Sequence, residues 1–180
     1  MNKKTISALV ITLFAAASFN ASALTKPEYT SAKDQIKVDY KAAKAKCNSL
    51  SANAKDICVA EAKGAEKVGK ADLEARYTGK DKDQYSLRVA KAEATYAVAI
   101  EKCDDLAGND KSVCVKEAKA TQTKAKADAK LTKTVKAATM DAKDEKVTAD
   151  YKVALEKCDA LAGDAKSSCV ASAKLKFNKS

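Results

Sequence analysis

The chain has 180 residues, with 34 Lys and Arg against 24 Asp and Glu, six Cys, no His, no Trp, one Pro and five Gly. Without His, it cannot form a Ser-His-Asp or Cys-His catalytic pair, a His-ligated zinc site or a haem attachment of the C-x-x-C-H type. One Pro and five Gly exclude a collagen-like protein and leave few breaks for a loop-rich fold. Structural proteins, binding proteins and enzymes that use Asp, Glu, Lys or Tyr remain possible.

Residues 1–23 have the pattern of a secretory signal peptide. Two lysines precede an apolar run at residues 6–17, and the small residues Ala-Ser-Ala follow at 21–23. The apolar run is shorter than the roughly 20 residues that a helix needs to span a bilayer. We therefore predict cleavage after Ala23, export from the cytoplasm, and no transmembrane span in the mature chain.

The mature chain is expected to be basic and poor in large apolar side chains. Removing residues 1–23 leaves 157 residues and lowers the formal net charge from +10 to +8, because Lys3 and Lys4 are lost. Leu, Ile, Val and Phe together make up 24 of these 157 residues. A highly charged chain with so few large apolar residues is usually disordered unless something else stabilises it.

One unit of the sequence occurs three times. In each copy a Tyr lies seven residues before the first Cys, a Leu follows that Cys by three residues, and a Val directly follows the second Cys. The first Cys residues of successive copies are 56 and then 55 positions apart. Such self-similarity indicates one supersecondary unit used three times. The aligned segments are Tyr40–Lys63, Tyr96–Lys119 and Tyr151–Lys174.

The repeated unit has the pattern of a helical hairpin. The Tyr, an Ala, the first Cys and the Leu fall on one helix face, and Ala and Lys fill the remaining positions. Gly108 and Gly163 can adopt the left-handed conformation that ends a helix, whereas Ala52 at this position in the first copy predicts a less regular turn. The next residue is a good N-cap for the second helix. The predicted N-caps are Asn53, Asn109 and Asp164, and the predicted core residues include Tyr40, Tyr96, Tyr151, Leu50, Leu106 and Leu161.

The two Cys of each unit lie about five residues before and after the predicted turn. In an antiparallel helix pair these positions face each other, as a disulfide with Cα atoms roughly 4.4–6.8 Å apart requires. Export supplies an oxidising compartment. Among the 15 pairings that six Cys allow, the repeat favours a bridge within each unit. Each such bridge is expected to stabilise the folded protein by roughly 3 kcal/mol. The predicted disulfides are Cys47–Cys58, Cys103–Cys114 and Cys158–Cys169.

A redox or metal-binding role for the Cys residues remains the alternative. Redox relays usually use C-x-x-C spacing or an exposed thiolate of low pKa, and a Cys-only metal site would need ligands from two units. The carboxylates lie among lysines on predicted exposed helix faces, without a pocket that would shift their pKa values. The sequence therefore predicts no catalytic residue, no cofactor-binding residue, no metal ligand and no cofactor.

We predict an all-α fold of three disulfide-stapled antiparallel helical hairpins, in an elongated bundle or array. Residues 24–30, with the only Pro, are predicted to be extended. The predicted domains are the signal peptide at 1–23 and three hairpin repeats at 24–80, 81–135 and 136–180. The predicted helices are 31–51, 54–77, 82–107, 110–131, 138–162 and 165–178.

Lysine supplies most of the positive charge, because Arg76 and Arg88 are the only arginines. Specific nucleic-acid readers favour Arg, so nucleic acid is not the predicted partner. The simplest interpretation is a solvated helix surface. A sharper hypothesis is attraction to anionic envelope components, such as lipid headgroups, lipopolysaccharide or cell-wall polymer, or to another envelope protein. No helix combines a strongly apolar face with aromatic anchors, so insertion into a membrane is not predicted.

The repeated pattern Y-x-x-A-x-x-K-C-D-x-L-x-G-x-x-K-x-x-C-V-x-E-A-K resembles a group of small Ala/Lys-rich proteobacterial periplasmic proteins, some of them labelled TolA-like cell-envelope proteins. The match covers about half of the mature residues. The first copy lacks the Gly, and the third has Ser172 where Glu61 and Glu117 stand. The resemblance implies a periplasmic location and brings no catalytic or ligand-binding residues. The predicted function is a non-enzymatic structural or interaction protein of the envelope; the alternative is a stress- or redox-responsive binder that uses its Cys for metal or thiol chemistry.

Overall fold

The computed structural model describes residues 24–179, so the predicted signal peptide lies outside the described residues. Within this range the chain contains α-helices, one short 3-10 turn at Cys47–Ser49 and no strand. The all-α prediction is therefore confirmed. The helices are α1 (Lys26–Lys46), α2 (Ala52–Thr78), α3 (Asp81–Cys103), α4 (Gly108–Asp159) and α5 (Gly163–Lys176).

Helix α1 begins inside a segment that the sequence predicts to be extended. The Thr25 side chain accepts a hydrogen bond from the Glu28 backbone N–H at 3.4 Å, and the Glu28 carboxylate accepts one from the Thr25 N–H at 2.7 Å. This reciprocal capping box satisfies backbone donors that a helix start leaves unpaired. Pro27 fits in the first turn, where no intrahelical N–H is needed. The extended prediction for 24–30 is therefore wrong from Lys26 onward.

Helix α2 ends where the sequence predicts a break. Gly79 has a φ of +65° and its N–H donates to the Ala75 carbonyl at 3.1 Å. This left-handed residue closes the helix at a position where a side chain would be strained. The Gln84 side chain also donates to the Ala75 carbonyl, at 3.3 Å. The short turn therefore ties the end of α2 to the beginning of α3.

Helix α4 is continuous over 52 residues, although the sequence predicts two helices there. No Gly or Pro lies between residues 109 and 162, so only the helix propensities of Thr and Val oppose it, by at most about 0.7 kcal/mol each. The Thr134 and Thr139 hydroxyls donate to carbonyls four residues earlier, at 3.0 and 2.8 Å, which satisfies these side chains within the helix. The six-helix prediction is wrong, and residues 135 and 136, the predicted repeat boundary, lie inside α4.

Each helix packs only on its neighbours in the sequence. Among the described residues the packed pairs are α1 with α2, α2 with α3, α3 with α4, and α4 with α5. Helices α1 to α4 therefore form one layer, with α1 and α4 at its edges. Helix α5 packs on the distal end of α4, beyond the layer. Of the bundle and the array that the sequence leaves open, this arrangement is an array.

Small side chains form most of the core. Gly64 of α2 lies so close to α3 that a Cβ added there would be 3.0 Å from the Ala94 Cβ. Close approach of this kind buries little apolar area per residue, and the hydrophobic stabilisation scales with that area. No polar or charged residue is buried within the described range. The buried residues are Gly64, Ala60, Ala62, Ala75, Ala90, Ala92, Ala129, Ala173, Leu73, Leu87 and three cysteines.

Candidate functional site

A disulfide closes the end of each hairpin. All three bridges have Cα atoms 5.6 Å apart and join cysteines separated by 11 positions. No described cysteine is free, and such bridges are typical of proteins outside the reducing cytosol. The pairing within each repeat is the predicted one. The bonds are Cys47–Cys58, Cys103–Cys114 and Cys158–Cys169.

The three hairpin turns follow the same backbone path. In each turn the N–H of the Leu donates to the carbonyl of the first Cys at 3.0–3.1 Å. Ala52, Gly108 and Gly163 then have φ values of +47°, +56° and +57°. Ala52 thus adopts the conformation of the two glycines, so the irregularity predicted for this position is absent. Only its 3-10 turn distinguishes it from the other two.

The turns change the role of two predicted sets of residues. The helices after the turns begin two residues earlier than predicted, at Ser51, Ala107 and Ala162 as N-caps, and none of these makes a side-chain capping bond. The turn leucines are not core residues, because they lie at the hairpin tips with 42–44% of their surface exposed. The residues predicted as N-caps are Asn53, Asn109 and Asp164, and the turn leucines are Leu50, Leu106 and Leu161.

The three repeat tyrosines are half-buried. Tyr96 lines the groove between α3 and α4, and the Tyr151 ring centroid is 5.9 Å from that of Phe177. The Lys44 ammonium lies 5.9 Å from the Tyr40 ring centroid, within the range of a cation–π contact. Their predicted core positions are therefore only partly buried.

Two shallow grooves flank α3 on the same side of the layer. One lies between α3 and α4 and encloses about 600 Å³; the other lies between α2 and α3 and encloses about 660 Å³. Both are lined mostly by Ala, Val and Thr, with a single carboxylate in each, Asp128 and Glu61 respectively. Among the described residues no group of three or more Cys, Asp or Glu could hold a metal ion.

Glu93 of α3 bridges both neighbouring helices. Its carboxylate lies 2.5 Å from the Lys67 ammonium of α2 and 2.7 Å from the Lys126 ammonium of α4. The hydrogen bond from Lys126, followed by that from Lys67, lowers the pKa of Glu93. A carboxylate with a lowered pKa and two fixed cations is a poor general base. Its negative charge instead links α3 to α2 and α4 through the two lysines.

The two other shifted groups also have structural causes. The Tyr29 hydroxyl donates to the Glu74 carboxylate at 2.7 Å, which raises the pKa of Tyr29 and joins the start of α1 to the end of α2. The Thr25 hydrogen bonds lower the pKa of Glu28 at the capping box. Neither group lines the two grooves beside α3.

A row of lysines runs along one face of α1. Lys26, Lys33, Lys37 and Lys44 recur at spacings of seven and four residues, with Lys41 beside them, and all are exposed. At 1.5 Å per residue the row extends over about 27 Å. Only Lys37 pairs with a carboxylate within the described residues, that of Asp34 at 2.9 Å. We refer to these five residues as the α1 lysine row.

The α1 lysine row was not among the sequence-predicted sites. Its signal was present, because the lysine spacing matches the helical repeat, but the predicted start of α1 at residue 31 excluded Lys26. Among the described helices α1 packs on α2 alone, so the row lies on a helix at the edge of the layer. This edge can approach an extended anionic surface without rearranging the fold.

Comparisons with other proteins add no functional assignment. No protein-family model, curated protein or solved structure matches the chain. None of the helices in the range 24–179 is both long enough and apolar enough to cross a membrane.

Proposed function

We propose that this protein is a non-enzymatic periplasmic structural or interaction protein of the cell envelope, and that it associates electrostatically with anionic envelope components. The observation that carries the proposal is the α1 lysine row. It presents five exposed ammonium groups on one edge helix, whereas the layer interior contains no buried charge within the described range.

The spacing of the row suits a surface of repeated anionic groups. Successive lysines lie about 4.5 to 10.5 Å apart along the helix, distances comparable to the Debye length of about 8 Å at physiological ionic strength. Each lysine near an anionic membrane surface contributes about 1 kcal/mol. The row can therefore give an affinity that no single surface lysine would supply.

Other observations support the periplasmic and structural parts of the proposal. The signal-peptide pattern, the resemblance to periplasmic Ala/Lys-rich proteins and the three disulfides are compatible with the oxidising periplasm. The shifted pKa values belong to groups in structural contacts, which favours a non-enzymatic role. The bridged state of the cysteines supports a structural use over metal binding by free thiols.

Vesicle binding tests the proposal. We expect the protein to co-sediment with phosphatidylglycerol-containing vesicles at about 0.01 M ionic strength and to dissociate at about 1 M, because the Debye length falls from about 30 to about 3 Å. Pure phosphatidylcholine vesicles should not bind. Lipopolysaccharide micelles provide a second anionic probe.

A matched pair of variants locates the binding surface. The triple substitution Lys33→Gln, Lys37→Gln and Lys44→Gln should weaken binding about tenfold or more. A control with the same change in charge, Lys143→Gln, Lys152→Gln and Lys157→Gln on α4, should bind like the wild type. Failure of the wild type to bind either probe at low salt, or equal losses in both variants, would contradict the proposal.

A further inference from the structure

One side of α4 contacts no other described helix and forms one edge of the layer. Helices α3 and α5 are the only described elements that contact α4, and Ala129 and Cys158, its two buried residues, lie on one side of it. At about 100° per residue, the opposite side contains Val113, Leu131 and Val135, with Val153 further along. We refer to this side as the outer face of α4.

The outer face is mostly apolar, exposed and long. Its four large side chains are 44%, 62%, 55% and 55% exposed, and only Met140 adds to the exposed large apolar residues of α4. Exposed alanines at 120, 138, 142 and 149 fill most of the positions between them. From Val113 to Val153 the face extends over about 60 Å. Because α3 and α5 both lie on the other side, no described element obstructs it.

The apolar positions of this face are complementary to themselves in the antiparallel orientation. If two copies of α4 pair in the antiparallel orientation about residue 133, Leu131 of each copy lies opposite Val135 of the other. This contact therefore occurs twice, once on each side of the centre. Val113 then lies opposite Val153 at both ends. The small residues between them allow close approach of the two helices, as they do between α2 and α3.

The charges of α4 favour the same orientation. Residues 108–136 contain eight Lys and three acidic residues, whereas residues 137–159 contain four Lys and six acidic residues. Antiparallel pairing places the basic half against the acidic half, and parallel pairing places basic against basic. Complementary potentials of this kind select orientation in protein interfaces.

Two outer-face charges also find partners in this alignment. Lys124 comes beside Asp141 of the second copy, and Glu117 comes within one helical turn of Lys146 of the second copy. In a parallel pair in register, Lys124 would instead face Lys124 of the other copy. Like charges in contact would destabilise that arrangement.

We propose that two copies of this chain associate through the outer face of α4, as an antiparallel dimer with two-fold symmetry centred near residue 133. The interface is isologous, so each copy uses its outer face once and the assembly closes at two copies. The dimer places the two α1 edges on its far sides and leaves the α1 lysine row accessible. The proposal does not depend on the envelope-binding function.

Sedimentation equilibrium of the purified protein tests the association. We expect a concentration-dependent equilibrium between monomer and dimer. Leu131→Lys and Val135→Lys should each raise the dissociation constant about tenfold or more, since they place charge at the centre of the interface twice per dimer. Met140→Lys is the matched control, because Met140 is 52% exposed on the same helix but points away from the outer face, and it should change the constant less than about twofold.

Photo-crosslinking tests the orientation. A photoreactive residue in place of Val153 should form crosslinks to the region of Val113 in the second copy. Within one chain these positions are about 60 Å apart, so an intrachain crosslink cannot imitate this result.

The charge change Glu117→Lys should weaken the dimer, and Glu117→Lys combined with Lys146→Glu should restore it.

Three results would overturn the proposal. They are a monomeric wild-type protein at about 1 mM, equal weakening by Met140→Lys and Leu131→Lys, and crosslinks from residue 153 to residue 153. Circular dichroism of each variant identifies any loss of helix. Because all three substituted side chains are more than half exposed, we expect the helix content to be retained.

Discussion

Ala52 has a backbone conformation that suits glycine better than alanine. Its φ of +47° lies close to the values of Gly108 and Gly163 in the equivalent turns. The left-handed region brings the Cβ of an L-residue too close to the following carbonyl oxygen, at a cost of roughly 1–2 kcal/mol. The first turn therefore follows the common path because the rest of the hairpin, including its disulfide, holds it there.

We expect Ala52→Gly to raise the free energy of unfolding by about 1 kcal/mol, because Gly adopts this conformation without the steric penalty. Gly108→Ala should lower it by a similar amount. No atom lies within 4 Å of a Cβ added at Gly108, so the effect is confined to the backbone. Urea unfolding of the oxidised protein measures both. The control Ala54→Gly, in the first turn of α2, should instead destabilise by up to about 1 kcal/mol.

Glu93 gives the layer a specific pH dependence. Its pKa is lowered in the folded protein, chiefly by Lys126 and then by Lys67. The stabilisation from its carboxylate is therefore complete above the ordinary value of 4.5 and is lost as the pH falls through the lowered value. Because the side chain remains partly exposed, solvent screening limits the contribution to less than about 1 kcal/mol.

We expect Glu93→Gln to destabilise the protein slightly at neutral pH and to reduce the loss of stability below about pH 4.5. Thermal unfolding between neutral and acidic pH measures the difference. Glu61→Gln is the control, because Glu61 is exposed and forms no ion pair within the described range. Identical pH profiles for Glu93→Gln and the wild type would contradict the assigned role.

At the residue scale, the cysteine pairs were predictable and the turn details were not. The repeat places both cysteines of each pair in one unit, which singles out one pairing. The N-caps were placed two residues too late, because the left-handed residue begins the second helix instead of ending the first. Leu50 and its equivalents follow a helical spacing in the sequence, but the helix ends within one residue of the preceding cysteine, so their side chains lie at the exposed tips.

At the element scale, the hairpins differ in what supports them. Helix α3 packs on both α2 and α4, whereas α5 packs on α4 alone. Ala173 is the only buried residue of α5, and its end is held by the Tyr151–Phe177 contact. The third disulfide therefore supplies a larger share of the local stability than the second, although a bridge of this loop length is worth roughly 3 kcal/mol in each case.

We expect the double substitution Cys158→Ser and Cys169→Ser to release α5 while α1 to α4 remain folded. Hydrogen exchange should become fast across Gly163–Lys176. The helical circular dichroism signal should fall in proportion to the length of this segment. Cys103→Ser with Cys114→Ser is the matched comparison. It should lower the global stability by roughly 3 kcal/mol yet leave α3 and α4 protected, because their packing remains. Equal local loss of protection in both variants would contradict this difference.

Helix α4 is longer than the sequence predicts, because no residue enforces a break. The β-branched residues around Thr134 and Val135 suggested a break, but their propensity cost is small and no Gly or Pro enforces one. At Gly79, by contrast, the predicted break is present. Existence and pairing of the helices could therefore be inferred from periodicity and cysteine spacing, whereas the length of α4 depended on the absence of a helix-breaking residue.

At the scale of the whole molecule, α4 is the longest of the described elements. Its 52 residues span about 78 Å, and the segment near residues 137–146 is exposed on all sides between the ion pair of Lys136 with Asp81 and the third hairpin. Whether the hairpins form a bundle or a row could not be derived from the sequence. Alanine occurs on several faces of each helix, so its pattern does not identify which faces pack.

We expect small-angle X-ray scattering of the monomeric Leu131→Lys variant to give a maximum dimension of at least about 78 Å. A compact domain of this size would instead have a radius of gyration of about 15 Å, and the measured value should be clearly larger. A compact profile would indicate that α4 bends back near residues 131–146. The variant with Met140→Lys, measured at low concentration, controls for the added charge.

The neighbour-only packing of the layer bears on how the chain folds. Among the described helices, every contact joins elements adjacent in the sequence, so no distant segment must be found before a hairpin can form, and short sequence separation favours rapid folding. The bonded cysteines are 11 positions apart, whereas Cys58 and Cys103 of successive hairpins are 45 apart. Loop closure favours the nearer partner. Each unit can thus complete its own oxidation in order of emergence, before a later cysteine is available to compete.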